Sequence, residues 1–410
     1  MLRCGIVKGM SHAVRDEPVR QGSLRAHNLG LVLRHVAAGP RPVSRADVAA
    51  GTGLTKATVS TLVDELLGGG LLVEVDPPPR TGAGRPAVGL RLATHGPAGL
   101  GLEINVDYVA AGVVDLTGAS RQIEVRHHDQ RGRSLEAVVD DLVDLATGTV
   151  AAAGADGLTM AGAAVAVPGL VADGVVRRAP NLEWRDVDLA AALRSRAARL
   201  GTDQITIDNE ANLAALGELH AGPDARPSFL YISGEIGIGA GLVLEGRLLR
   251  GARGYGGELG HVTIRPDGAH CHCGARGCLE VYANQEVLLR TAGLDGTADV
   301  GRLVALAQAG AHPALMALDE VGSALGVAAA SVVNLLDLDT VVLGGIYAPL
   351  TPWLSEPVSR EITERAITSE WAPVTVRASA LGTSATVIGA AGSVVRAILE
   401  APAPHLSRRS

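Results

Sequence analysis

Residues 257–280 read GELGHVTIRPDGAHCHCGARGCLE. Three of the chain's four cysteines, Cys271, Cys273 and Cys278, fall within eight residues there, and His261 lies ten positions upstream. Thiolate and imidazole donors in a short, turn-rich segment suit a tetrahedral Zn²⁺, and Gly268, Gly274 and Gly277 supply the tight backbone that wraps one. Four protein ligands close the coordination sphere, so the zinc expected here is structural. Clustered thiols without a metal would be a chemical liability. His270 and His272 flank Cys271 and compete with His261 for the fourth position.

A chain of 410 residues is long enough for two or three domains with sizeable cores. Its apolar residues are mostly Ala, Val and Leu spread among Gly, and no secretory h-region opens it, so no membrane span or signal peptide is expected. Cysteines grouped as ligands, with only Cys4 apart, suit a reducing cytoplasm. Charge is unevenly divided. Residues 1–95 hold twelve Lys and Arg against seven Asp and Glu, leaving 24 against 36 for the rest of the totals of 36 and 43. A basic end on an acidic body points to an anionic partner for the small end.

That end reads as three helices and a wing. After an arm at residues 1–22, apolar positions 29, 32, 33 and 36 form a helical stripe in Leu24–Ala37. Ser44-Arg45-Ala46-Asp47 reads as a capping box opening a second helix that ends at Gly51. Thr55 caps a third, with Val59, Leu62, Val63, Leu66 and Leu67 on one face and Lys56, Ala57, Ser60 and Thr61 on the other. Small, polar and basic side chains are what a recognition helix presents to a major groove. Leu71–Val75 and Val88–Leu92 read as wing strands around the tip PPPRTGAGRP, whose Arg80 and Arg85 are its charges. Arg85, between Gly84 and Pro86, is slim enough in its flanks to enter a narrow minor groove. Residues 23–95 are therefore expected to be a winged helix-turn-helix that binds operator DNA.

From Gly99 onward buried strands alternate with Ala-rich helices, and polar residues gather at strand ends. GELGH followed by C-x-C-G-x-x-G-C-L-E resembles the signature of the ROK family of repressors and sugar kinases, over roughly residues 97–398. The resemblance implies an α/β body of the two-lobed actin-like ATPase (ribonuclease H-like) type. One lobe spans about 97–210 with a C-terminal return, the other 211–380. It further implies a sugar site made of Gly169, Asn181, Asn209, Glu210, Glu258, His261 and Glu280. Carboxylate acceptors and amide donors suit a ring of hydroxyls. His261 would then serve twice, one ring nitrogen on zinc and the other toward the sugar.

The phosphate-handling elements of that family's kinases are missing. Where a kinase carries D-x-G-G-T-K, this chain has Glu103 to Tyr108, without the double glycine, threonine or lysine. Where the second loop is G-T-G-I-G, Glu235 stands for the threonine, and Glu210 stands for the catalytic aspartate. A carboxylate about 4 Å from a phosphate costs roughly 4 kcal/mol at an effective dielectric of about 20. The expectation is a non-enzymatic, sugar-released repressor of the xylose-repressor-like branch, a dimer or tetramer, with a free sugar such as xylose or a hexose as effector. The alternative is an ATP-dependent ROK sugar kinase with an added DNA module.

Overall fold

The structure, a computed structural model, describes residues 21–39, 41–76, 88–222, 227–295 and 299–406. Arg80, Arg85 and nearly all of the expected arm lie outside the described residues. The chain divides into two compact units. One comprises residues up to Gly69, Glu74–Arg91 and the segment from Leu399. The other comprises Gly70–Val73 and Leu92–Ile398.

In the smaller unit α1 (Gln21–Ala37) leads through β1 (Val43–Ser44) to α2 (Arg45–Thr52) and α3 (Lys56–Gly68), followed by β2 (Leu72–Val75) and β3 (Gly89–Leu92). The capping box forms as its residues dictate: Ser44 Oγ accepts from Asp47 N, and Asp47 accepts in return from Ser44 N. α2 runs to Thr52, one residue beyond the expected stop, and Gly53 caps it in the left-handed region. The expected stripe of Leu29, Val32, Leu33 and Val36 is buried, and so are Val59, Leu62, Val63 and Leu66 of α3. Each such side chain contributes about 1.5–3 kcal/mol on burial. The strand order β1-β3-β2 adds a third strand to the wing that the two-strand expectation lacks. Arg45 accounts for the tight seating of α2: it bonds Ser60 Oγ at 3.0 Å and pairs with Asp64 at 2.7 Å and Glu74 at 3.0 Å.

The larger unit holds two five-stranded sheets of one topology. In the first, β4 (Gly96–Ile104), β5 (Tyr108–Asp115) and β6 (Ser120–His127) run as an antiparallel meander. After α4 (Leu135–Ala155), β7 (Leu158–Val167) pairs parallel with β4. A small sheet of β8 (Leu170–Ala172), β9 (Val175–Ala179) and β10 (Trp184–Val187) then stands apart. Beyond α5 (Leu189–Arg194) and α6 (Ala197–Leu200), β11 (Ile205–Asn209) closes the order β11-β7-β4-β5-β6. Next come α7 (Glu210–Ala221), β12 (Phe229–Gly234), β13 (Ile238–Leu244) and β14 (Arg247–Leu248). The helices α8 (Glu280–Ala283), α9 (Gln285–Thr291), α10 (Val300–Gln308) and α11 (His312–Leu336) precede β15 (Thr340–Gly345), α12 (Thr351–Arg365) and β16 (Thr375–Ala378). The second order, β14-β13-β12-β15-β16, repeats the first: a meander followed by two parallel strands.

Two helices cross between these sheets, α7 and α13 (Ala385–Glu400). Glycine lets them touch backbone to backbone: a Cβ on Gly389 would lie 1.9 Å from Leu213 O, and one on Gly101 of β4 2.0 Å from Val387 O. The α13 helix thus returns to the first sheet, while Gly241 of β13 takes α7 against the second. α14 (Ala403–Leu406) belongs to the smaller unit, where Leu406 packs on Gly69 and Arg34 bonds Glu400 O, an addition no local pattern announces. Among the described residues two helices, His312–Leu336 and Gly382–Glu400, are long and apolar enough by length and composition to cross a membrane, a test that buried core helices also pass. The apolar face of the first is occupied: Ala317, Leu318, Val321, Leu325 and Ala328 are buried in the second sheet's core.

Candidate functional site

The two sheets aim their loops at one cavity of about 280 Å³. All seven residues implied for the sugar site, Gly169, Asn181, Asn209, Glu210, Glu258, His261 and Glu280, line it. They arrive from separate strand ends. Gly169 follows β7 with φ 106°, where a Cβ would lie 2.2 Å from Arg178 O. Asn181 rides the short turn between β9 and β10. Asn209 and Glu210 sit where β11 passes into α7. Gly257, at φ 106° and closed against Ala240 O, turns Glu258 toward the cavity, and His261 ends the turn that follows. Glu280 opens α8 and accepts from Ile238 N at 3.2 Å.

Asn209 has less to offer a ligand than its sequence position implies. Its Oδ1 caps α7, accepting from Ala211 N and Asn212 N, while Nδ2 donates to Gly169 O at 3.0 Å. One amide hydrogen is left. Glu210 is the opposite case, with a buried Oε2 that has no hydrogen-bond partner. Burial, then the like charges of Glu103, Glu258 and Glu280, push its carboxyl up to about 8. Glu258 is also raised, by burial, with His261 opposing the shift and Glu280 adding to it.

The stretch that differs from kinases forms the far wall. Asn105, Val106, Glu235 and Ile236 line the cavity there. Asn105 Nδ2 donates to Glu235 Oε2 and to Tyr108 Oη, both at 3.1 Å, and Tyr108 donates to Glu103 Oε1 at 2.7 Å. Burial lifts Glu103 to about 7, and burial followed by the charges of Glu103 and Glu210 raises Glu235. Sequence reasoning treats Glu103 and Glu235 only as lost phosphate contacts; across 130 residues nothing local tells that Glu235 meets Asn105. It also omits Arg178, which lines the cavity from β9.

Beside the cavity, His261, Cys271, Cys273 and Cys278 form a group able to hold a metal ion, their donor atoms all within 4.8 Å of one another. Cys271 Sγ and His261 Nδ1 are 3.7 Å apart, as are Cys273 Sγ and Cys278 Sγ. A tetrahedron with metal–sulfur bonds of about 2.3 Å has edges near 3.7 Å. His261 joins the cluster through Nδ1, while His270 and His272 stay out of it; His272 instead lines the cavity. Gly277 makes the fold-back possible, since a Cβ there would lie 1.6 Å from Arg265 O, and Arg265 stacks on Tyr282 at 4.6 Å.

In the smaller unit Thr55 caps α3, and Lys56, Ala57 and Thr61 are exposed along its first turns. Ser60, expected on the same face, is half-buried and held by Arg45, which takes its hydroxyl out of the exposed set.

A helix-turn-helix with a wing and a duplicated sheet body around a cavity lined by carboxylates and amides define a class. The profile of the ROK family matches residues 99–396, and that of the MarR family residues 30–80. The chain belongs to the ROK family. It is 29% identical to the xylose repressor of Bacillus spizizenii over 364 residues, covering 88% of this chain and 92% of that one. A solved ROK family transcriptional regulator, a homologue of the E. coli MLC protein, superposes with TM-score 0.77 at 24% identity, over 93% of this chain and 99% of that one. A ROK family glucokinase from Streptomyces griseus, solved with glucose and AMPPNP, superposes with TM-score 0.64 at 26% identity, over 72% and 98%.

Proposed function

We propose that this protein is a sugar-responsive transcriptional repressor. Residues 23–95 read operator DNA, residues 97–398 read a free sugar, and sugar binding lowers operator affinity. One observation carries this reading: the cavity keeps the hydroxyl-reading set Glu210, Glu258, His261 and Glu280 but is walled at its other end by Asn105 and Glu235, with Glu103 bonded behind them through Tyr108. A phosphate would meet the Glu235 carboxyl there in place of the threonine and glycine donors of a kinase loop, so the protein binds its sugar without phosphorylating it. The similarity to a xylose repressor favours xylose as effector, with hexoses next.

The metal is a structural zinc on His261, Cys271, Cys273 and Cys278. When bound it fixes the fold of residues 261–278 and holds His261 by Nδ1, leaving Nε2 for the sugar. Lys56, Ala57 and Thr61, with Arg80 and Arg85 of the wing, contact DNA, and Ser60 supports them through Arg45. A palindromic operator needs at least a dimer, so the working form is a cytoplasmic homo-oligomer, dimer or tetramer.

The test is a mobility-shift titration of an operator fragment with and without D-xylose, paired with calorimetry of D-xylose with and without operator. Linkage requires the same factor in both, and about 5- to 150-fold is expected. Lys56→Ala should weaken operator binding and make it less salt-dependent. Sugar-dependent ATP turnover would overturn the reading, as would unchanged operator affinity with a sugar shown to bind.

A further inference from the structure

The turn between β12 and β13 touches both halves of the body. From its base, Ile346 N donates to Gly234 O at 3.0 Å and Gln285 N to Glu235 O at 3.2 Å, so the second sheet's elements hold it. Ile238 packs into that sheet's core. The tip goes the other way: Ile236 packs against the core of the first sheet, and Glu235 accepts from Asn105 of the β4–β5 turn. Asn105 is itself rigid, its backbone N bonded to Tyr108 O and its Oδ1 accepting from Val106 N. Behind it, Tyr108 and the buried Glu103 complete the chain of bonds. The same turn lies against the sugar-reading residues, since Ile238 N donates to Glu280.

We propose that Gly234–Gly239 is a latch: Glu235 and Ile236 tie the two lobes together where a kinase uses its nucleotide to bridge them, and so hold the cavity in its sugar-reading shape. Glu235 and Asn105 are positioning residues in this scheme. A cavity assembled from two lobes binds in proportion to the fraction of molecules with the lobes together. A polar bond and an apolar plug from one turn keep that fraction high without any nucleotide. This inference rests on the reading of the cavity as a sugar site.

The experiment is hydrogen exchange on the ligand-free full chain, joined to calorimetry with D-xylose. Asn105→Ala should speed exchange roughly tenfold in residues 234–239, and Glu235→Ala should do the same in residues 105–108. Glu235→Gln keeps an acceptor for Asn105 and should exchange like the parent, which separates the latch from a general loss of fold. With D-xylose, Asn105→Ala and Glu235→Ala should each weaken binding about tenfold, and the double variant no further, because both break one bond. Exchange that rises only in the mutated turn overturns the latch, and so do losses that multiply in the double variant, as two independent sugar contacts would. If D-xylose fails to bind even the parent chain, the sugar reading is what fails, and the exchange result alone decides the latch.

Discussion

At the cysteine end of the cavity Glu258, His261 and Glu280 come from one stretch of chain and line the cavity, Glu280 accepting from Ile238 N and His261 turning Nδ1 toward Cys271. At the other end Asn105 and Glu235 come from turns on different sheets, Tyr108 and Glu103 stand behind them on β5 and β4, and their polar atoms bond each other. Among the described residues the first end has its carboxylates and imidazole bonded only in part, and Glu210 Oε2 beside them has no hydrogen-bond partner, whereas the second end bonds to itself. Catalytic and sensing members of one fold can therefore differ by whether the phosphate end waits for a partner or already has one. Removing a lysine, a threonine and the glycines deletes a nucleotide site. Installing Glu235 opposite Asn105 puts a structural bond in its place.

The comparison breaks most visibly at the metal. Cys273→Ser should lose the zinc and with it sugar binding, because His261 loses its anchor and residues 261–278 their cross-link; elemental analysis and D-xylose calorimetry check both. Stoichiometric zinc on that variant would show that the four-ligand set is wrong. Next in size, Glu258→Gln should weaken sugar binding roughly 10- to 100-fold, the range for a hydrogen bond to a charged group, while operator affinity without sugar stays as in the parent. At the walled end, neither the parent nor Glu235→Thr should turn over ATP, because Asn105 and Tyr108 still stand where the first phosphate loop would be. A coupled assay giving measurable turnover in Glu235→Thr would show that this single carboxylate separates sensor from kinase.

The smallest effect expected is on stability. The folded chain holds protons on Glu103 and Glu210 up to about pH 7 and 8, against an ordinary value of 4.5, so the unfolded chain releases them first. A raised carboxyl stabilises the fold below its ordinary value and loses that contribution as pH climbs through its folded value. The melting temperature of the ligand-free protein should therefore fall between about pH 5 and 8. Glu210→Gln, neutral throughout, should flatten the slope; a slope of equal steepness in that variant would mean Glu210 is ionised at neutrality.

The parts legible in the sequence are the local ones. The capping box at Ser44, the helical stripes of α1 and α3 and the cysteine spacing all act within a few residues, where periodicity and turn chemistry decide. What stayed hidden joins distant positions. Arg45 reaching Asp64 and Glu74, the third wing strand, Leu406 on Gly69 and the Asn105–Glu235 bond each depend on tertiary placement. Asn209 falls between these cases: its place beside the cavity follows from the family motif, but the use of its oxygen as a helix cap follows from the backbone around it.

The crossing of α7 and α13 has a mechanical consequence. Where Gly389 meets the Leu213 carbonyl, no side chain lies between the helices to change rotamer and absorb a shift. Two rods in such contact behave as a stiff beam rather than a cushioned joint. A tilt begun at the first turn of α7, where Asn209 and Glu210 border the cavity, would be handed to α13 with little slack. Beyond Gly389 α13 runs eleven more residues, about 16 Å at 1.5 Å per residue, the length over which such a tilt would be carried.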